Sequence, residues 1–138
     1  MARYLLDANT LSEQARPRPQ AQLLARLRMH QGQLATATVV LHELAFGVEL
    51  LPEGAKRAHL SRWLHEAQRS DLELLAYDEQ AALWHARERA RLQLAGRPAP
   101  FVDGQIAAIA ATNDLTLVTR NVRDFQRFDG LRVTDWCG

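Results

Sequence analysis

Cysteine is almost absent. The chain has 138 residues and one cysteine, Cys137, so an internal disulfide is excluded and a zinc cluster built on thiolates lacks its ligands. Lysine is as scarce, since Lys56 is the single one and the other basic residues are arginine. Arginine suits phosphate forks, but a G+C-rich genome accounts for the same bias. Seventeen basic against sixteen acidic residues leave a net charge of +1, so no strongly basic tail announces nucleic acid. Long apolar runs are missing as well. A stretch such as Leu34 to Leu41 is far short of a membrane span and carries threonines, and Asp7 interrupts any signal-peptide core near the N-terminus. These absences lead us to expect a cytoplasmic protein in a reducing compartment, with no membrane partner.

Familiar catalytic signatures are missing too. No G-x-x-x-x-G-K loop or G-x-G-x-x-G fingerprint occurs. Ser12, Ser61 and Ser70 lack a G-x-S-x-G elbow. His42-Glu43 opens a zinc H-E-x-x-H motif that fails at Phe46, and His59 and His65 stand six apart, where sharing a helix face needs four.

What is present is an ordinary globular composition, 47% apolar and 24% charged. The length suits one domain over residues 1–138. Short apolar runs at Arg3 to Leu6, Gln33 to Thr38, Leu72 to Tyr77 and Leu115 to Thr119 predict buried strands, with Leu131 to Val133 as a last edge strand. Between them, apolar residues at helical spacing predict helices over Gln20 to His30, Val39 to Leu51, Ala55 to Arg69 and Glu79 to Leu94, the last capped by Asp78 and closed by Gly96 and Pro98. A helix beginning at Asp103 and a helical turn over Val122 to Arg127 complete the set, while Asn9, Thr10 and Ser12 read as turn and cap chemistry. Alternating strands and helices predict a parallel sheet of four to five strands covered on both faces.

In open parallel sheets, ligands bind beyond the carboxyl ends of the strands. That rule selects four acids. Asp7 ends the first strand, Glu43 lies one turn into the helix after the second, Asp103 starts the helix feeding the fourth, and Asp124 follows the fourth. Taken singly, Asp103 reads as an N-cap, Asp124 as a cap of the turn around it, and Glu43 as a solvated helix residue near the edge of the buried face. Taken together, carboxylates converging at one sheet edge repel and call for a cation. Mg2+ or Mn2+ suits such oxygen ligands and keeps waters that can attack phosphorus, which points to phosphodiester hydrolysis.

Four motifs in register carry a family resemblance: Leu5-Leu6-Asp7-Ala8-Asn9-Thr10-Leu11-Ser12-Glu13, His42-Glu43-Leu44-Ala45-Phe46-Gly47-Val48, Asp103-Gly104-Gln105-Ile106-Ala107-Ala108-Ile109-Ala110, and Thr119-Arg120-Asn121-Val122-Arg123-Asp124-Phe125. In order and spacing, from Leu5 to Phe125, they resemble PIN-domain proteins, and among those the VapC toxins of toxin–antitoxin pairs, including a FitB-like branch. The resemblance implies an α/β/α sandwich and a Mg2+- or Mn2+-dependent endoribonuclease. It puts the family's four acids on Asp7, Glu43, Asp103 and Asp124, the polar neighbour of the first acid on Asn9, and the supporting hydroxyl and amide on Thr119 and Asn121. Asp7, Asp103 and Glu43 would bind the metal directly or through water, and Asp124 would bind a second metal or hold the water network. Val102 departs from the alanine of many relatives. The resemblance further implies a homodimer and a small antitoxin partner that contacts DNA, so that DNA is met only indirectly. The helices Gln20 to His30, Val39 to Leu51 and Ala55 to Arg69 offer a groove for that partner, with Phe46 and Trp63 as leftover apolar surface or simply core. Two other readings compete. One is a catalytically silent PIN-fold partner inside a DNA-binding regulatory complex. The other is a haloacid-dehalogenase-like phosphatase, which the amide of Asn9 disfavours because that chemistry needs a second acid there.

Overall fold

The computed structural model describes residues 1–137. Five strands form one parallel sheet: β1 (Tyr4–Leu6), β2 (Leu34–Ala37), β3 (Glu73–Leu75), β4 (Thr116–Val118) and β5 (Arg132–Thr134), in the order β3-β2-β1-β4-β5. Every strand run expected from the sequence is present; the first four are trimmed by a residue or more, and the last is shifted by one, from residues 131–133 to Arg132–Thr134. β1 is central, with Leu5 registered against Ala35 on one side and Leu117 on the other. Leu5, Ala35 and Leu117 are fully buried, as strands covered on both faces require. The edge strand β3 instead leaves Glu73 and Leu74 exposed.

The intervening helices are α1 (Ala8–Ser12), α2 (Ala21–Met29), α3 (Thr38–Glu49), α4 (Ala55–Gln68), α5 (Glu79–Leu94), α6 (Phe101–Thr112) and α7 (Val122–Phe125), with a 3-10 turn at Glu13–Ala15. The start of α5 was legible, since Asp78 Oδ1 accepts from the Ala81 N–H at 2.9 Å. Its end was legible too. Gly96 takes φ +72, and the N–H groups of Arg97 and Gly96 return to Leu92 and Gln93, satisfying carbonyls that the helix end would orphan.

Three local expectations are corrected. Asn9, Thr10 and Ser12 lie within or close a short helix, α1, whose cap is Asp7: its Oδ1 accepts from the Thr10 N–H at 2.9 Å. Asp103 does not begin or cap α6, which starts two residues earlier at Phe101 after Pro100 at φ −56, a conformation that proline fixes in advance. Asp124 does not cap the turn after β4 but lies inside α7.

Because the chain runs outward from β1 through β2 to β3 and then returns to place β4 on the other side of β1, the strand order reverses at β1 and β4. The crevice at such a reversal is where this architecture holds ligands. No described helix is long and apolar enough to cross a membrane.

Candidate functional site

Asp7 stands at the carboxyl end of β1, at that reversal, and is 5% exposed. A buried carboxylate needs donors, and Asp7 has two. Oδ1 takes the Thr10 N–H, and Oδ2 takes a hydrogen bond from the hydroxyl of Thr119, which is fully buried just past β4. The Thr119 hydroxyl in turn accepts the Asn121 N–H at 3.0 Å. Thr119 thus ties the ends of the two central strands together at the first acid, and Asn121 is bound to it through its backbone.

Asp103 lies in the first turn of α6, where a negative charge is favoured by the helix dipole. Glu43 lies on α3 and is exposed, more open than the edge of a buried face. Asp124 and Asn9 are exposed on α7 and α1. Partial desolvation of the carboxyl, despite the exposure of the residue as a whole, raises Glu43 from its ordinary value, and the charges of Asp103 and Asp7 raise it further against the opposing pull of His42. Asp103 is raised by burial, then by Asp124 and Asp7, with Arg127 acting the other way. Asp103 therefore feels both Asp124 and Asp7, and Glu43 feels both Asp103 and Asp7. The four acids share one electrostatic neighbourhood.

They are not drawn into a closed ligand set: among the described residues, no three His, Cys, Asp or Glu side chains gather closely enough to hold an ion. Nor does any of the four form an ion pair among the described residues. Two nearby arginines direct their donors to other groups. Arg127 donates to the backbone carbonyls of Asp124 and Pro98, and Arg120 pairs with Glu13 at 3.3 Å. What the site presents is repelling oxygen donors that Arg127 and His42 offset only in part and that no ion pair neutralises among the described residues, and oxygen donors of this kind suit a hard divalent ion.

Reasoning from sequence missed Glu13. Its carboxylate is buried beside Asp7's helix and held by Arg120 and, at 3.5 Å, by Arg16. The signal was its place at the end of the first motif. His42 stacks on Phe46 with ring centroids 6.2 Å apart, so the abandoned zinc motif is an aromatic contact. Apart from the four acids, none of which lines it, α2 and α4 enclose an open cleft of about 450 Å3 with Leu24, Leu27, Trp63 and Leu72 among its lining residues, and a smaller one of about 120 Å3 adjoins it between α3 and α4 at Leu41, Leu44 and Leu64. Trp63 is half-buried in that groove, whereas Phe46 is exposed and lines neither cleft.

Residues 4–131 match the sequence model of the PIN domain. The chain belongs to the PIN-domain family. Among proteins to which this PIN domain is similar is the "tRNA(fMet)-specific endonuclease VapC" of Salmonella typhimurium, 34% identical over 99% of this chain and 100% of the relative. Another is the "Toxin FitB" of Neisseria gonorrhoeae, 32% identical over 96% of this chain and 97% of the relative. Its fold superposes on DNA-bound VapBC from Salmonella typhimurium with TM-score 0.84 at 32% identity, covering 99% and 100% of the two chains. FitAB bound to a DNA fragment gives TM-score 0.86 at 27% identity over 98% and 96%. Within the family, the PIN domain described here therefore falls among VapC- and FitB-like proteins.

Proposed function

We propose that this PIN domain is a metal-dependent endoribonuclease acting as the toxin of a toxin–antitoxin pair. The observation that carries the reading is the set of four carboxylates at the strand reversal, two of them, Glu43 and Asp103, raised by burial and then by the charges of other members of the set, and none neutralised by an ion pair among the described residues. Full-length similarity to a protein named as a VapC endonuclease supports it.

Asp7, Glu43 and Asp103 would hold Mg2+ or Mn2+, with Asp124 completing the acidic edge. When bound, such an ion supplies Lewis acidity toward a phosphodiester and the water that attacks it. The protein's own part is orientation. The Thr119 hydroxyl and the Thr10 N–H fix both oxygens of Asp7, so its carboxylate would receive the ion without reorganising. Asp103 projects from a helix first turn whose dipole favours its charged form. The strand termini and helix caps thus hold anionic groups in a fixed frame, and the exposed positions of Glu43 and Asp124 leave the edge open to a polymer.

The antitoxin is expected to lie in the groove between α2, α3 and α4, whose apolar floor carries a charged rim at Arg28, Glu66 and Asp71. That composition suits an amphipathic segment of a partner chain. A homodimer in the cytoplasm remains part of the proposal. A second reading, the silent partner in a DNA-bound complex, is favoured by the DNA-bound state of the VapBC and FitAB structures. One experiment separates the two. RNA 5′ ends are sequenced after induced expression of the wild type and of Asp7→Asn. New discrete ends in the wild type alone support the nuclease; identical end profiles in both would overturn it in favour of the silent partner.

A further inference from the structure

His85 on α5 is 3% exposed, and the chemistry above makes no use of it. Its Nδ1 lies 2.8 Å from the Tyr77 hydroxyl, which anchors one end of the imidazole. The other end lies on the backbone of α6 at Gly104. A Cβ at position 104 would come 2.2 Å from Nε2 and 2.5 Å from Cδ2 of His85, more than an ångström inside ordinary van der Waals contact. Only a residue without a side chain lets α5 and α6 close to this distance. The Phe101 ring, centred 4.8 Å away, packs against the same imidazole at the helix start. Gly104 is the residue after Asp103, and its N–H donates to the Pro100 carbonyl at 3.2 Å, closing the first turn of α6.

The ring is therefore a wedge of fixed thickness between α5 and the turn that carries Asp103. Burial holds it toward its neutral form, and the Arg89 charge adds to that, so it brings no charge of its own to the acidic edge. We propose that His85, pinned by Tyr77 and seated on the bare Cα of Gly104, is a positioning residue that sets the depth and angle of the Asp103 carboxylate at the divalent-ion site. This rests on the metal-site reading given above. Displacement of a ligand-bearing turn by about an ångström is enough to matter, because catalytic geometry tolerates little more.

The test compares full-length wild type, His85→Ala, His85→Gln and Tyr77→Phe. Three quantities are measured: Mn2+ affinity by calorimetry, exchange of the Gly104 amide in the metal-free protein, and kcat and KM on RNA. Removing a group that orients a metal ligand typically weakens affinity or activity by about 10- to 100-fold. His85→Ala is expected to bind Mn2+ about tenfold more weakly, to lose kcat with KM little changed, and to exchange the Gly104 amide faster before any metal is added. His85→Gln, whose planar amide reaches toward Gly104, is expected to recover most of the affinity. Should His85→Ala fail to fold, Tyr77→Phe keeps the wedge but frees its anchored end, and a smaller loss of Mn2+ affinity is expected. A folded His85→Ala, or Tyr77→Phe in its place, with lower thermal stability but unchanged Mn2+ affinity and kcat would overturn the proposal. Absence of Mn2+ uptake by the wild type would sink the metal-site reading itself, and the His85 proposal with it.

Discussion

Thr119→Val tests the hinge of the site. Valine keeps the volume and branching of a residue that is completely buried, so no cavity opens and the change is confined to the hydroxyl. What is lost is the hydrogen bond to Asp7 Oδ2 and the acceptor for the Asn121 N–H. Asn121 is exposed, so water can replace its partner at little cost. Asp7 is nearly sealed from water, and a hydrogen bond to a charged group of that kind contributes about 1.5–3 kcal/mol. For a chain of 138 residues, an unfolding entropy of about 2.1 cal/mol/K per residue converts this to a drop of roughly 5–10 °C in Tm. The assay is calorimetric and circular-dichroism melting of metal-free protein, with Thr119→Ser as the control that restores the hydroxyl. Thr119→Val melting with the wild type, or Thr119→Ser melting as low as Thr119→Val, would refute the reasoning.

Three further outcomes follow from the charges. Glu43 and Asp103 have raised pKa values in the folded protein, so their contribution to stability is complete below the ordinary carboxylate range and is lost as pH rises through the raised values. In metal-free protein their share of the stability is therefore expected to fall as pH rises through the raised values, so Asp103→Asn should gain on the wild type with rising pH, as followed by melting against pH. Glu88 runs the other way. The Arg91 fork at 2.9 Å and the Asp129 N–H at 2.7 Å hold its carboxyl below the glutamate range, so its contribution is present at neutral pH and lost as pH falls through the lowered value; Glu88→Gln is expected to flatten the acid limb of the same melting curve. Arg120→Met leaves the buried Glu13 with only the exposed Arg16. The cost is expected at about 1–2 kcal/mol, between that of surface and fully buried pairs, and Glu13→Gln in the same chain should relieve part of it in denaturant titrations.

Much of this was legible in order of residues alone because the signals were long or chemically pointed. Strand β1 announces itself through two leucines stopped by an acid, and α5 through Asp78 at one end and Gly96 at the other. Helix α1 escaped because five residues are too few for periodicity to separate a helix from a turn. The start of α6 was misplaced because Asp103 has the chemistry of a cap, while Pro100 supplies the geometry instead. The four acids could be gathered by their common relation to strand ends, which is a rule of topology. Contacts that obey no such rule stayed hidden. Glu13 with Arg120, and His85 on Gly104, join residues distant in sequence, and nothing in the spacing of either pair points to the other.

The central claim is that four carboxylates at the reversal of the sheet need a divalent cation. Calorimetric titration of Mn2+ into metal-free wild type and Asp7→Asn measures this directly. Asparagine can keep an acceptor for the Thr10 N–H while removing the charge, so the fold should survive. A saturable heat in the wild type that is lost or greatly weakened in folded Asp7→Asn is the expected result. No heat in the wild type, or equal binding by both proteins, would contradict it.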